Sequence, residues 1–209
     1  MTRTVGDLSD IVGPVSRETE SRLNQYAERL VRWTKTSNLV APSTIDDLWS
    51  RHILDSAQLV SLKPDATRWV DLGSGGGLPG IVIAILLAEN EETVVHLVES
   101  NAKKAAFLLS TIAELKIPAR VHRRRIEDAW DHVGAVDVVT ARALAPLNTL
   151  LGLARPWLER GATGLFPKGR DFVGELAKSR DDWGFDLIEH PSVIDPESRI
   201  LEIGGLRSR

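Results

Sequence analysis

The residues of this chain best suited to chemistry lie in Val70–Gly80, VDLGSGGGLPG, where glycines stand at positions 73, 75, 76, 77 and 80. A turn this rich in glycine brings backbone directly against a ligand, because a Cβ at such positions would collide with it. The string reads in two registers. Gly73, Gly75 and Gly77 give G-x-G-x-G, the loop of an S-adenosylmethionine (AdoMet) methyltransferase, whereas Gly75, Gly77 and Gly80 give G-x-G-x-x-G, the dinucleotide fingerprint. Two residues favour AdoMet. Asp71 stands where the dinucleotide pattern has apolar strand residues, and Pro79 lacks the N–H that a pyrophosphate would take from a helix start.

Further candidates fall at the ends of the later strands, where open α/β sheets bind their ligands. Glu99 closes the next strand at the spacing of a βαβ unit and can accept hydrogen bonds from both ribose hydroxyls of an adenosine ligand. Ile126-Glu127 follows the third strand and is placed to border the adenine, although an acid at the start of a short helix has the same appearance. Arg142, after the fourth strand, needs a carboxylate, a phosphate or a base edge, so it either meets a ligand or pairs with Asp71 or Glu99. Lys168-Gly169 ends the fifth strand on the same rim, where a phosphate contact and an ordinary surface turn look alike. His52 with Asp55 or Ser56 shares a helix face, but no nucleophile elbow accompanies it, and a hydrogen-bonded structural network is expected.

These residues need a scaffold that brings several strand ends together. Arg68–Leu72 reads as a buried strand and Ile81–Ala88 as the helix behind the glycine turn, with Pro79 near its first turn. Strands and helices then alternate: strands at 93–99, 119–123, 136–140 and 162–166, helices at 102–115, 147–158 and 173–181. The terminal strands 185–189 and 199–203 have no helix between them and imply an antiparallel edge. The fold class is therefore α/β, a Rossmann-like sheet, mostly parallel, over residues 65–209. Residues 1–64 form a helical extension packed on that core, with a helix over 16–36 and a second from a Ser43 cap to Leu62. Residues 1–15 carry little pattern and are expected to fray.

Composition bounds the partners. The chain has 209 residues, 43% hydrophobic and 26% charged, which is ordinary for a globular protein, and its net charge of −3 argues against a uniformly basic nucleic-acid binder. Basic residues cluster locally instead: Arg29, Arg32 and Lys35 in the first long helix, Arg120–Arg125, and Lys168 with Arg170. Such patches bind phosphate despite a slightly negative total. Without cysteine, disulfides, thiolate zinc sites and any methyl transfer through a cysteine nucleophile are excluded, and no metal site is expected. With neither a bilayer-length apolar run nor a signal-peptide core, a cytoplasmic, monomeric protein is expected.

Over nearly its whole length the sequence resembles the RsmG (GidB) family of bacterial 16S rRNA guanine-N7 methyltransferases. The resemblance rests on Trp33–Leu39 (family pattern W-N-K-x-x-N-L), RHILDS at Arg51–Ser56, VDLGSGGGLPG at Val70–Gly80, Leu97–Ser100, Ala141-Arg142-Ala143 and Lys168-Gly169. Thr34, Val40 and Pro167 depart from the family's usual Asn, Thr and Leu. The resemblance implies a class I AdoMet-dependent fold, with AdoMet contacts at Gly73, Leu78, Glu99, Ile126, Glu127 and Arg142. The glycine pattern adds Asp71, Gly75 and Gly77. It further implies methylation of guanine N7 in the decoding region (530 loop) of 16S rRNA, on the free rRNA or the small ribosomal subunit, with Lys168 near the RNA or the acceptor base. The RNA-facing candidates are then Arg29, Arg32, Lys35, Arg123, Arg124, Arg125, Lys168 and Arg170.

That chemistry suits the residues present. Guanine N7 carries an in-plane lone pair and no proton, so catalysis reduces to alignment and no acid or base is assigned. Arg142 and Lys168 are positioning candidates, with Arg142 expected on a phosphate, the AdoMet carboxylate or the guanine O6 edge. The residues alone leave two other readings open, a methyltransferase acting on another RNA or a small molecule, and a dinucleotide-dependent oxidoreductase.

Overall fold

Apolar residues alternate faces along the strands, so both sides of the sheet must be covered by helices, and the computed structural model, which describes residues 5–209, has that architecture. Its elements are α1 (Val5–Val12), α2 (Arg17–Ser37), α3 (Asp55–Leu62), β1 (Arg68–Leu72), α4 (Gly80–Leu86), β2 (Val94–Val98), α5 (Ala102–Leu115), β3 (Ala119–His122), α6 (Trp130–Val133), β4 (Val138–Thr140), α7 (Leu147–Leu158), β5 (Thr163–Lys168), α8 (Phe172–Asp182), β6 (Trp183–Pro191) and β7 (Arg199–Ser208). The described strands form one sheet in the order β3-β2-β1-β4-β5-β7-β6. The pairings from β3 to β5 are parallel, while β7 runs antiparallel to both β5 and β6. The expected antiparallel edge is therefore present. β1 lies between β2 and β4, with Asp71 level with Leu97 on one side and Thr140 on the other.

Two cores result, one on each face. Trp69, Val95, Leu97 and Val138 pack with residues of α1 to α5, whereas Val70, Leu72, Val98 and Val139 pack with the α6–α8 side. Leu23, Tyr26 and Leu30 of α2 and Leu59 of α3 are fully buried in the first core beside Ile81 and Phe107. Trp33 meets Phe107 with ring centroids 5.4 Å apart. The helices that precede the sheet in the chain thus share one of its two cores with α4 and α5. No helix of the described residues is long and apolar enough to cross a membrane.

The N-terminal segment departs from expectation twice. Residues 1–4 lie outside the described residues, but 5–12 form α1 rather than a frayed end. Leu8 is fully buried, the Ser61 hydroxyl donates to the Ile11 carbonyl at 2.6 Å, and Gly13 at φ +81° ends the helix. The helix expected from Ser43 to Leu62 is broken into a 3-10 turn at Pro42–Thr44, a π-helical turn at Trp49–Leu54 and α3. Ser43 caps nothing, because Pro42 takes the first position of the 3-10 turn and the helical chain resumes only after residue 48.

Candidate active site

At the end of β1 the chain must leave the sheet and start α4 within a few residues, and the glycines make this possible. Gly73 (φ +68°) and Gly75 (φ +56°) adopt left-handed backbone that disfavours any side chain. A Cβ on Gly73 would stand 2.6 Å from Leu144 Cδ1, while one on Gly75 would meet only the Gly73 carbonyl oxygen, at an ordinary 3.7 Å. Ser74 N–H donates to Val98 O at 3.0 Å, which ties the loop to β2, and the buried Tyr26 hydroxyl donates to Gly76 O at 2.7 Å. Burial raises the Tyr26 pKa far above the usual phenol range, so the hydroxyl stays a donor.

Asp71 was expected to touch the cofactor, and the structure places it elsewhere. It is 1% exposed and lies under the loop, accepting from Gly80 N at 3.2 Å and Thr140 Oγ1 at 3.1 Å. Burial pushes its pKa up to about 7 despite these bonds. It anchors the start of α4 and lines none of the cavities described below. Gly80 packs so tightly there that a Cβ would strike Leu97 and stand 2.9 Å from Asp71 Oδ2. The Gly80 N–H is consequently committed to Asp71, and the dinucleotide register loses the donor at its third glycine.

Two cavities flank the loop. The first, about 330 Å³, is lined by Gly73, Glu99, Arg125, Ile126, Glu127 and Leu144 among others. Glu99 is fixed at its mouth: Oε2 accepts from Gly75 N at 2.9 Å and Oε1 from Asn101 N at 2.7 Å, leaving each oxygen a second lone pair. The second, about 490 Å³, is lined by Gly73–Gly76, Leu78, Thr44, His52 and Arg142. Gly73, Lys104 and Ala143 belong to both, so the two adjoin. Gly77 is buried away from them, against Ile81 and Leu108.

Arg142 is held by neither Asp71 nor Glu99. Its Nη1 donates to Asp55 Oδ2 at 3.2 Å and Arg51 O at 3.0 Å, and its Nη2 to His52 Nδ1 at 3.0 Å. The partners come from the π-helical turn and the first residue of α3, so RHILDS serves the network expected of it. Because arginine can only donate, His52 Nδ1 must accept, and the ring is neutral with its proton on Nε2. Nε2 then donates to Thr44 Oγ1 at 2.7 Å, whose own proton goes to Ala41 O at 2.7 Å. Burial, with the Arg142 and Arg51 charges, lowers the His52 pKa to about 4. Arg142 retains its Nε–H and one Nη2 proton, without a protein partner among the described residues.

A third cavity, about 450 Å³, meets the other two at Arg142, Ala143 and Leu144. Ala143 sits at this junction in left-handed backbone (φ +52°), the kind of local strain that concentrates at functional sites. Lys168 lines the cavity's far side, its Nζ donating to Ala145 O at 2.9 Å and Glu175 Oε2 at 2.7 Å. Glu175 was not among the sequence candidates, since an acid on the half-exposed helix α8 reads as solvated. Thr44, in the 3-10 turn, and Lys104, on α5, were not among the candidates either.

The basic candidates divide. Arg32, Lys35, Arg123 and Arg125 are exposed. Arg29, however, is only 12% exposed and braces α2 on α5 through Glu114, Ser110 and Thr111, so its charge is spent internally. Arg124 bonds His132 Nδ1 at 2.8 Å with its Nε buried, and Arg170 pairs with Glu197 at 2.9 Å while remaining exposed.

Residues 19–200 match the family model described as GidB, rRNA small subunit methyltransferase G. A Brucella canis protein named ribosomal RNA small subunit methyltransferase G is 54% identical over 202 residues, covering 97% of this chain and 95% of its own, and a Brucella suis protein of that name matches equally. Among solved structures, an O-methyltransferase from Bacillus cereus in complex with SAH superposes with a TM-score of 0.58 at 14% identity, covering 96% of each chain. That likeness concerns the fold.

Proposed function

Since the chain belongs to the rRNA small subunit methyltransferase G family and methylates ribosomal RNA, we propose that it transfers the methyl group of AdoMet to N7 of a guanine in the 530 loop of 16S rRNA. The observation that carries this reading is the pair of adjoining cavities that share Gly73, with a fixed carboxylate in one and a partly satisfied guanidinium in the other.

The residues fit AdoMet. Glu99 offers two lone pairs to the ribose hydroxyls, and Ile126, Val98 and Leu144 give the smaller cavity an apolar lining for adenine beside Glu127. Gly73 and Gly75, which line the larger cavity without a side chain, suit close approach of the nucleoside. In the larger cavity Arg142 uses its two remaining protons for the methionine carboxylate, with Leu78 packing alongside. When bound, AdoMet supplies an electrophilic methyl group on a positively charged sulfur. The protein holds the acceptor in line with it and excludes water, a contribution of proximity and orientation. No side chain needs to remove a proton, because N7 has none. Arg32, Lys35, Arg123 and Arg125 hold the RNA backbone. The protein acts as a monomer.

The test is incubation with tritiated AdoMet and small subunits, or free 16S rRNA, that lack the modification, followed by mapping of the label. A single N7-methylguanine in the 530 loop is expected. Label on another base, or at another atom of guanine, overturns the proposal.

A further inference from the structure

Outside the two cavities assigned to AdoMet, the 450 Å³ cavity is lined by a half-buried ion pair that the reaction as described does not use. Lys168 is 10% exposed and Glu175 30%, with Nζ–Oε2 at 2.7 Å. Glu175 Oε2 is doubly engaged, since it also accepts from Leu147 N at 2.6 Å at the start of α7. Its Oε1 has no partner among the described residues. Lys168 spends two of its three protons, on Ala145 O and Oε2. The wall therefore presents one unspent donor beside one unspent acceptor, both fixed by neighbours that cannot be displaced without exposing backbone groups.

We propose that Lys168 and Glu175 form a guanine-reading pair, Lys168 Nζ donating to O6 and Glu175 Oε1 accepting from N1–H and the exocyclic amino group. This inference rests on the reading above that the acceptor is guanine N7. Guanine carries O6 and N1–H side by side, an acceptor next to a donor, and the cavity wall offers the complementary order. Adenine carries a donor at N6 and an acceptor at N1, the reverse order, so it meets donor with donor and acceptor with acceptor. Rejection then comes from polar groups that the bound base covers and leaves unpaired, a strong discriminator.

The pair also acts on the reaction itself. As the N7 lone pair forms the new N–C bond, the C–S bond breaks and its electrons return to sulfur, so positive charge moves onto the purine. N1–H becomes a stronger donor as that happens, and its bond to the Glu175 carboxylate tightens in the transition state relative to the ground state. The lysine charge stays at the O6 edge, with its counter-ion attached, away from the ring face.

The experiment uses the full chain and small subunits reconstituted with guanine, inosine or adenine at the modified position. Wild-type protein is expected to form N7-methylguanine and to lose about tenfold or more in kcat/KM on inosine, which lacks the amino group. E175Q is expected to lose about 10²–10³-fold on guanine. It should keep its AdoMet affinity within about twofold and show a guanine-over-adenine preference at least about tenfold weaker, because its amide offers a donor in place of an acceptor. Equal losses on all three bases, no loss on any, or wild-type indifference to inosine each overturn the inference, and the last holds even should E175Q fail to fold. If wild-type protein forms no N7-methylguanine at all, the parent reading falls instead.

Discussion

At the scale of single residues, the buried groups near the glycine loop titrate in opposite senses, and stability should record both. Asp71 is an acid in the folded protein up to about pH 7, whereas in the unfolded chain it ionises near its ordinary value of 3.8. Between those limits the folded state holds the proton and the unfolded state has released it, so stability falls as pH rises through about 7. The effect is on the order of a few kcal/mol. D71N, which cannot ionise, is expected to gain on the wild type from pH 5 to about pH 7 and to level off above it in urea unfolding; parallel profiles would show that Asp71 is not the group responsible. His52 works the other way. Its folded pKa of about 4 lies below the unfolded 6.5, so its contribution is complete above about 6.5 and is lost as pH falls through about 4.

Among the elements, α2 does more than its position before the sheet suggests. Its buried Tyr26 holds Gly76 O, and its Arg29 holds Glu114, Ser110 and Thr111 of α5. Y26F should leave a buried carbonyl unpaired, cost roughly 1–3 kcal/mol in thermal or chemical unfolding, and weaken AdoMet binding measured by calorimetry. R29A should lower stability while leaving the salt dependence of RNA binding unchanged, since that guanidinium has no charge to spare for phosphate. The sequence exposes elements whose signals are local: α5 starts at Asn101, whose side chain caps it, and α7 follows Pro146. β1 is bounded by its own apolar run and the first glycine. The break at Trp49–Leu54 has no local signal, because the groups that engage it, Arg142 on His52 and on Arg51 O, lie about ninety residues away. Distance also hid Glu175, whose partners Leu147 and Lys168 come together with it only in the fold. The glycine loop and Glu99 were legible because strand, turn and acid follow one another in a fixed βαβ spacing. Asp71 was legible as unusual, but its side, facing α4 beneath the loop, follows from which face of β1 the pleat gives it.

For the molecule as a whole, a net charge of −3 means that RNA must be met by patches rather than by overall attraction. Binding should weaken linearly in log–log plots against salt, and R32A and K35A should each flatten that slope by about 0.7–0.9 if the residue meets one phosphate. Unchanged slopes would remove α2 from the RNA surface. The division of the interior into two cores has a further consequence during synthesis. The apolar stripe of α2, with Leu23, Tyr26 and Leu30, leaves the ribosome well before Ile81 and Phe107, against which it is finally buried. At roughly 5–20 residues per second the nascent chain carries that uncovered stripe for several seconds. Pausing translation between the end of α3 and the end of α5 should therefore lengthen the time in which the growing protein is vulnerable to proteases and in need of chaperones, while a pause after Leu115 should not.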